Sequence, residues 1–171
     1  MTTYVALLRG IMPMNPNMKS AKLKSFFESL GFKNVATVIA SGNVVFDSPS
    51  TDTDALEAKI EKALPLQLGF TSSTIIRSQT ELNALVKNNP FKGIIDEKPN
   101  YLVVTFFKDR TKELCTVLNL NDATTVTTSF MSTLEKKHGK QITTRTWKTV
   151  ARILKKMEAA NVCPELVRFG E

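Results

Sequence analysis

Asn34-Val-Ala-Thr-Val-Ile-Ala-Ser-Gly-Asn-Val-Val-Phe46 is the stretch whose reading decides the fold. Asn34 to Ala40 and Val44 to Phe46 are rich in β-branched residues and read as two strands. Ser41-Gly42-Asn43 between them reads as a tight hairpin turn, with Gly42 supplying a positive φ at no steric cost. Working outward, Tyr4 to Leu8 is a short apolar run stopped by Arg9-Gly10, a buried strand. Pro13, Asn15, Pro16 and Asn17 make a loop. Leu23, Phe26, Phe27 and Leu30 then fall on one face of a helix that begins near Met18 and closes at Gly31. Downstream, Asp52 or Thr53 caps a helix carrying Leu56, Ile60, Ala63 and Leu64, with Pro65 expected to end it. Thr74 to Ile76 supplies a fourth strand.

The order is β-α-β-β-α-β, that of the ferredoxin-like plait. Right-handed crossovers make the first and second strands parallel and put the third between them. Arg9-Gly10 and Ser41-Gly42-Asn43 are thereby expected at one end of the sheet, roughly 10 Å apart. Ser78 and Glu81 form a capping box that opens a helix with Leu82, Leu85 and Val86, terminated by Asn89-Pro90-Phe91. The expected division is a first half over residues 1–91 and a second α+β half over 92–171. In the second half Tyr101 to Phe107 is the clearest strand. Lys112 to Leu118 reads as a short helix containing Cys115, and Ala123 to Thr128 as a strand. Phe130 to Lys137 reads as a helix closed by Gly139. A last helix runs from about Thr146 to Met157, with Thr146 or Thr144 as its N-cap, and Val162 to Phe169 reads as an added edge strand. The fold class is therefore α+β, two packed ferredoxin-like halves, the second degenerate.

The charge is unevenly placed. Between Thr133 and Glu158 lie eight Lys/Arg and two Asp/Glu, so this stretch carries +6 of the net +7. Such a balance favours an anionic partner. The 171 residues are 42% hydrophobic, enough for a real core. No run approaches the roughly 18 apolar residues of a membrane helix, and Met1-Thr2-Thr3-Tyr4 does not open a secretion signal. With Cys115 and Cys163 as isolated thiols, a cytoplasmic protein with no membrane association is expected.

Five segments together resemble a bacterial family catalogued as domain of unknown function 1697. They are Tyr4-Val-Ala-Leu-Leu-Arg-Gly-Ile11, Leu30-Gly-Phe-Lys-Asn-Val35, Ser41-Gly-Asn-Val-Val-Phe46, Asn89-Pro-Phe91, and Thr143-Thr-Arg-Thr-Trp147 with Thr149-Val150. The resemblance implies two plait-like halves and no particular activity. The chain departs from the family pattern at Met12-Pro13-Met14-Asn15, where Asn-Val-Gly-Gly is usual. It departs again at Thr146, where the family has Asn, and at Val38-Ile39-Ala40, where it has Tyr-Ile-Gln.

The chemistry in the residues is sparse. One histidine, His138 at a charged helix end, and no Cys or Asp/Glu cluster at ligand spacing give no metal site. No phosphate-cradling loop and no catalytic constellation stand out, and no cofactor is implied; an enzyme of unknown reaction, with Ser41 or His138 as its reacting group, is an alternative to a binding protein. Arg9, Gly10, Ser41, Gly42, Asn43, Thr144 and Arg145 are the candidate ligand residues, polar groups at loop ends and at a helix start, suited to an anion. Lys148, Arg152, Lys155 and Lys156 form an alternative, a basic helical stripe for nucleic-acid phosphates. Base stacking on the sheet is not expected, because its strands lack the required aromatics. Trp147 reads as core packing.

Overall fold

The computed structural model describes residues 1–110, 113–119, 121 and 126–161. β1 (Thr2–Leu8), α1 (Ser20–Ser29), β2 (Lys33–Thr37), β3 (Asn43–Ser48), α2 (Thr53–Gln67) and β4 (Thr74–Ser78) follow one another in the expected order. A 3-10 turn over Pro16–Met18 precedes α1. The sheet order is β2-β3-β1-β4, antiparallel throughout, so β3 lies between β1 and β2. β2 ends at Thr37 rather than Ala40, because Ile39 turns into the left-handed region at φ 58°. Gly42, at φ +82°, is required twice over: a Cβ there would lie 2.5 Å from Ile11 Cγ1 and 3.0 Å from the Leu8 oxygen. α2 runs through Pro65 to Gln67, contrary to the expectation that Pro65 ends it. A proline so near the helix end removes only one hydrogen bond, while Leu64, fully buried, still anchors that turn.

α3 (Gln79–Asn88) opens on the Ser78–Glu81 capping box and closes at Asn89, itself left-handed. Beyond it come β5 (Asn100–Phe107), β6 (Leu114–Asn119), α4 (Val126–His138), β7 (Ile142–Thr146) and α5 (Trp147–Asn161). These strands form a second antiparallel sheet, β6-β5-β7. The fold is α+β, with two antiparallel sheets and five helices among the described residues.

Three second-half expectations are corrected. Leu114 to Leu118 is strand, not helix: it pairs residue for residue with β5, from Thr105↔Leu114 to Asn100↔Asn119. Val126 to Thr128 begins α4 rather than ending a strand, and residues 123–125 lie outside the described ones. Thr143 to Thr146 is strand β7, so neither Thr144 nor Arg145 sits at a helix start. Three β-branched threonines suit a strand paired with β5, where the Thr105 and Thr144 hydroxyls meet at 2.9 Å. Thr146 is the residue that caps α5, its hydroxyl accepting from the Thr149 amide at 3.2 Å. Residues 162–169, read as an edge strand, fall outside the described residues.

The first sheet is buried on both faces. Tyr4, Ala6, Leu8, Val44 and Phe46 pack under α1 and α2 with Phe26, Phe27, Ile60 and Leu64. The other face carries Val5, Leu7, Val45 and Ile75, covered by Val104 and Phe106 of β5 and by Val150, Ile153, Leu154 and Met157 of α5. That second face is the one a plait would offer to bases, and here it is core. Trp147 packs edge-on against Phe91, ring centroids 5.1 Å apart. Among the described residues no helix is long and apolar enough to cross a membrane.

Candidate functional site

Strand order places the end of β1 beside the start of β3. The Leu8 amide donates to the Gly42 carbonyl at 2.9 Å, so the Arg9 and Ser41–Asn43 segments touch directly. Asn43 is buried and uses its amide fully: Nδ2 donates to the Val38 carbonyl and to Ser41 Oγ, each at 2.9 Å. Its Oδ1 is thereby aimed outward and accepts from Arg145 Nε at 2.6 Å. Arg145 arrives from β7, whose pairing with β5 sets Arg145 opposite Val104. Its Nη1 donates to Thr143 Oγ1 at 2.6 Å and to the Thr144 carbonyl at 3.0 Å, and Nη2 donates to the Leu8 carbonyl at 2.9 Å. Four of the five N–H donors of a guanidinium are thus engaged, all on neutral acceptors.

Among the described residues, Arg145 is one of five cations that bridge the parts of the chain before and after Phe91. Each donates to a backbone carbonyl on the far side. Arg9 reaches Ile142, Arg77 reaches Phe107, Lys108 reaches Thr74, Arg110 reaches Ile76 and Arg145 reaches Leu8. Four also meet a carboxylate there: Arg9 pairs with Glu135, Arg77 with Glu113, Lys108 with Glu57 and Glu61, and Arg110 with Glu81. Among the described residues Arg145 pairs with none. Loss of hydration lowers its pKa below the ordinary guanidinium value, to about 10.

Arg145, Thr143, Thr144, Arg9 and Gly10 line a pocket of about 270 Å3, completed by Met131, Glu135 and Ile142. Arg9 and Gly10 also line a larger cavity of about 510 Å3. Of the candidate ligand residues, Arg9, Gly10, Thr144 and Arg145 line the smaller pocket, while Ser41, Gly42 and Asn43 stand behind it as the support of Arg145. The Thr144 hydroxyl is taken up by Thr105. Sequence reasoning missed Thr143 and Lys108 as members of this region. Lys108 directly follows the apolar run of β5, a charge at a strand end that could have been noticed. The Glu57 and Glu61 that it meets gave no signal beyond helical spacing.

The basic stripe is elsewhere. Lys148, Arg152, Lys155 and Lys156 lie exposed on the outer face of α5, one or two turns apart. His138, the last residue of α4, sits edge-on to Phe107 at 5.0 Å. No group of His, Cys, Asp or Glu among the described residues could hold a metal ion.

Residues 1–130 match the family described as protein of unknown function (DUF1697). The chain belongs to the DUF1697 family. The match ends before Thr143–Trp147, yet in this DUF1697 protein that segment closes on the matched ones: Arg145 on Leu8 and Asn43, Trp147 on Phe91. The chain is similar to the solved structure of the conserved bacterial protein SP0830 from Streptococcus pneumoniae. That likeness has a TM-score of 0.72 at 20% identity, over 92% of this chain and 99% of that one, and concerns the fold. No curated protein matches the sequence.

Proposed function

We propose that this protein is a non-enzymatic binding protein for a small anion, held where its two halves, residues 1–91 and 92–171, meet. One observation carries the reading: of five cations bridging the halves, Arg145 alone lacks a carboxylate among the described residues. Arg145 is partly buried, and holding a guanidinium largely away from water without a counter-charge is unfavourable before hydrogen bonding offsets it. A phosphate or carboxylate in the adjoining pocket supplies that charge; Arg9 lines the same pocket with its own charge met by Glu135. Asn43, Ser41 and Gly42 hold Arg145 in place and leave an N–H of Nη2 for the ligand.

Thr143→Asp tests this directly. It puts a carboxylate where Nη1 now meets a hydroxyl at 2.6 Å, making Arg145 like the other four. Thermal stabilisation by millimolar inorganic phosphate is expected in the wild type and lost in Thr143→Asp, with the unliganded melting temperature held or raised. Equal stabilisation of both proteins by phosphate sinks the site.

The second reading is contact with nucleic-acid phosphates through α5. It is favoured by four exposed cations on one helix face, none ion-paired among the described residues. Binding of a DNA or RNA duplex at 50 mM salt, falling steeply by 200 mM, is its signature. Charge reversal at Lys148 and Arg152 should abolish it; absence of binding at the lower salt removes the reading.

A further inference from the structure

We infer that the ligand is a polyhydroxylated small anion, of the sugar phosphate or sugar acid class; this rests on the anion-binding reading above. The larger cavity, about 510 Å3, shares Arg9 and Gly10 with the Arg145 pocket, so one ligand can occupy both. Its volume suits a small organic molecule rather than a bare ion. Not one side chain on its wall is apolar. Thr71, Ser72 and Ser73 present hydroxyls, Gln141 an amide, and Lys108 and Lys140 ammonium groups. Ser72 Oγ is spent on the Arg9 carbonyl at 2.7 Å. The Thr71 and Ser73 hydroxyls and the Gln141 amide make no side-chain hydrogen bond to any described residue.

These groups both donate and accept, which matches hydroxyls of a polyol. An alkyl body placed there would strip water from these groups without replacing their hydrogen bonds, the condition under which a polar site disfavours an apolar analogue. The remaining wall residue gives direction. Glu61 already accepts from Lys108 and, at 2.8 Å, from the Thr74 amide, and its charge repels an acid group. Glu135 likewise meets Arg9 in the smaller pocket, so the acid end belongs at Arg145, which pairs with no carboxylate among the described residues, and the hydroxylated body beside Ser73 and Gln141.

Calorimetric titration of the full chain with matched probes tests this. The pairs are glucose 6-phosphate against hexyl phosphate and glucuronate against hexanoate, with inorganic phosphate as the reference anion. The expected result is at least about tenfold tighter binding of one sugar probe than of its alkyl partner. Ser73→Ala combined with Gln141→Ala should erase that preference while inorganic phosphate still binds. Arg145→Met should lose every probe, and Thr143→Asp repeats that arm should Arg145→Met misfold. If alkyl and sugar probes bind equally, and Arg145→Met loses both, the polyol inference is overturned and anion binding stands. A sugar preference that survives the Ser73/Gln141 double change also overturns it. Failure of every probe to bind overturns both readings.

Discussion

Arg77 and Arg145 are two solutions to one problem, a strand cation that joins the parts of the chain before and after Phe91. Each is a strand guanidinium, from β4 and β7, that crosses to a backbone carbonyl of the other half. Arg77 is 1% exposed, lies over the Phe106 ring and meets Glu113 at 3.3 Å. Arg145 meets an amide, a hydroxyl and two carbonyls. Nothing in geometry forces the difference, since Thr143 Oγ1 stands where a carboxylate oxygen would fit. The contrast is between a cation met by a carboxylate and one met only by neutral groups among the described residues, the one that the proposed function assigns to a ligand.

The strongest way to break the contrast is Arg77→Met. It removes bonds to the Phe107 and Ile76 carbonyls and strands Glu113, so a loss of about 3 kcal/mol is expected in urea denaturation. Arg145→Met strands no carboxylate and should cost less, about 1–2 kcal/mol, while abolishing stabilisation by phosphate. Equal costs would mean that both arginines are fasteners.

The smallest effect is a pH dependence that sharpens the comparison on the acidic side. Glu57 is buried, and loss of hydration raises its pKa above the ordinary 4.5, against the pull of the Ile76 amide, Lys108 and Arg110. The folded chain thus holds this proton to higher pH than the unfolded chain does. The associated stability is full below 4.5 and is lost as pH rises through the folded value. Stability of the wild type relative to Glu57→Gln should therefore fall as pH climbs from 4.5 and then level off. A relative stability that rises over that window contradicts the assignment.

The first sheet was legible because its signals are local. The Ser41–Asn43 turn, the Ser78–Glu81 box and the alternation between helical and strand periodicity all act within a few residues. β6 and β7 were not legible, because both depend on β5. Leu-Cys-Thr-Val-Leu reads equally well as a helix until Tyr101–Phe107 is there to pair with it. Thr143 to Thr146 looked like a helix approach because α5 begins one residue later. Arg145 was singled out for its neighbourhood to that helix, yet its contacts come from strand register. Its meeting with Asn43, 102 positions away, depends on strand register that no local pattern carries. Beyond the charge of Lys108 at a strand end, its pairing with Glu57 and Glu61 left no signal, since ion pairs between distant segments leave no period in a sequence.

The shared face of the first sheet also sets an order in time. Val5, Leu7, Val45 and Ile75 are all synthesised by the time Ser78 is added, but their cover includes Met157. At about 5–20 residues per second the ribosome takes roughly 4–16 s to cover that distance. Until β5 and then α5 have been made, that face of the first sheet lacks the cover it has in the folded chain. A chaperone that shields β-sheet surfaces, or a slow step in translation before β5, would act on this protein before α5 closes over it.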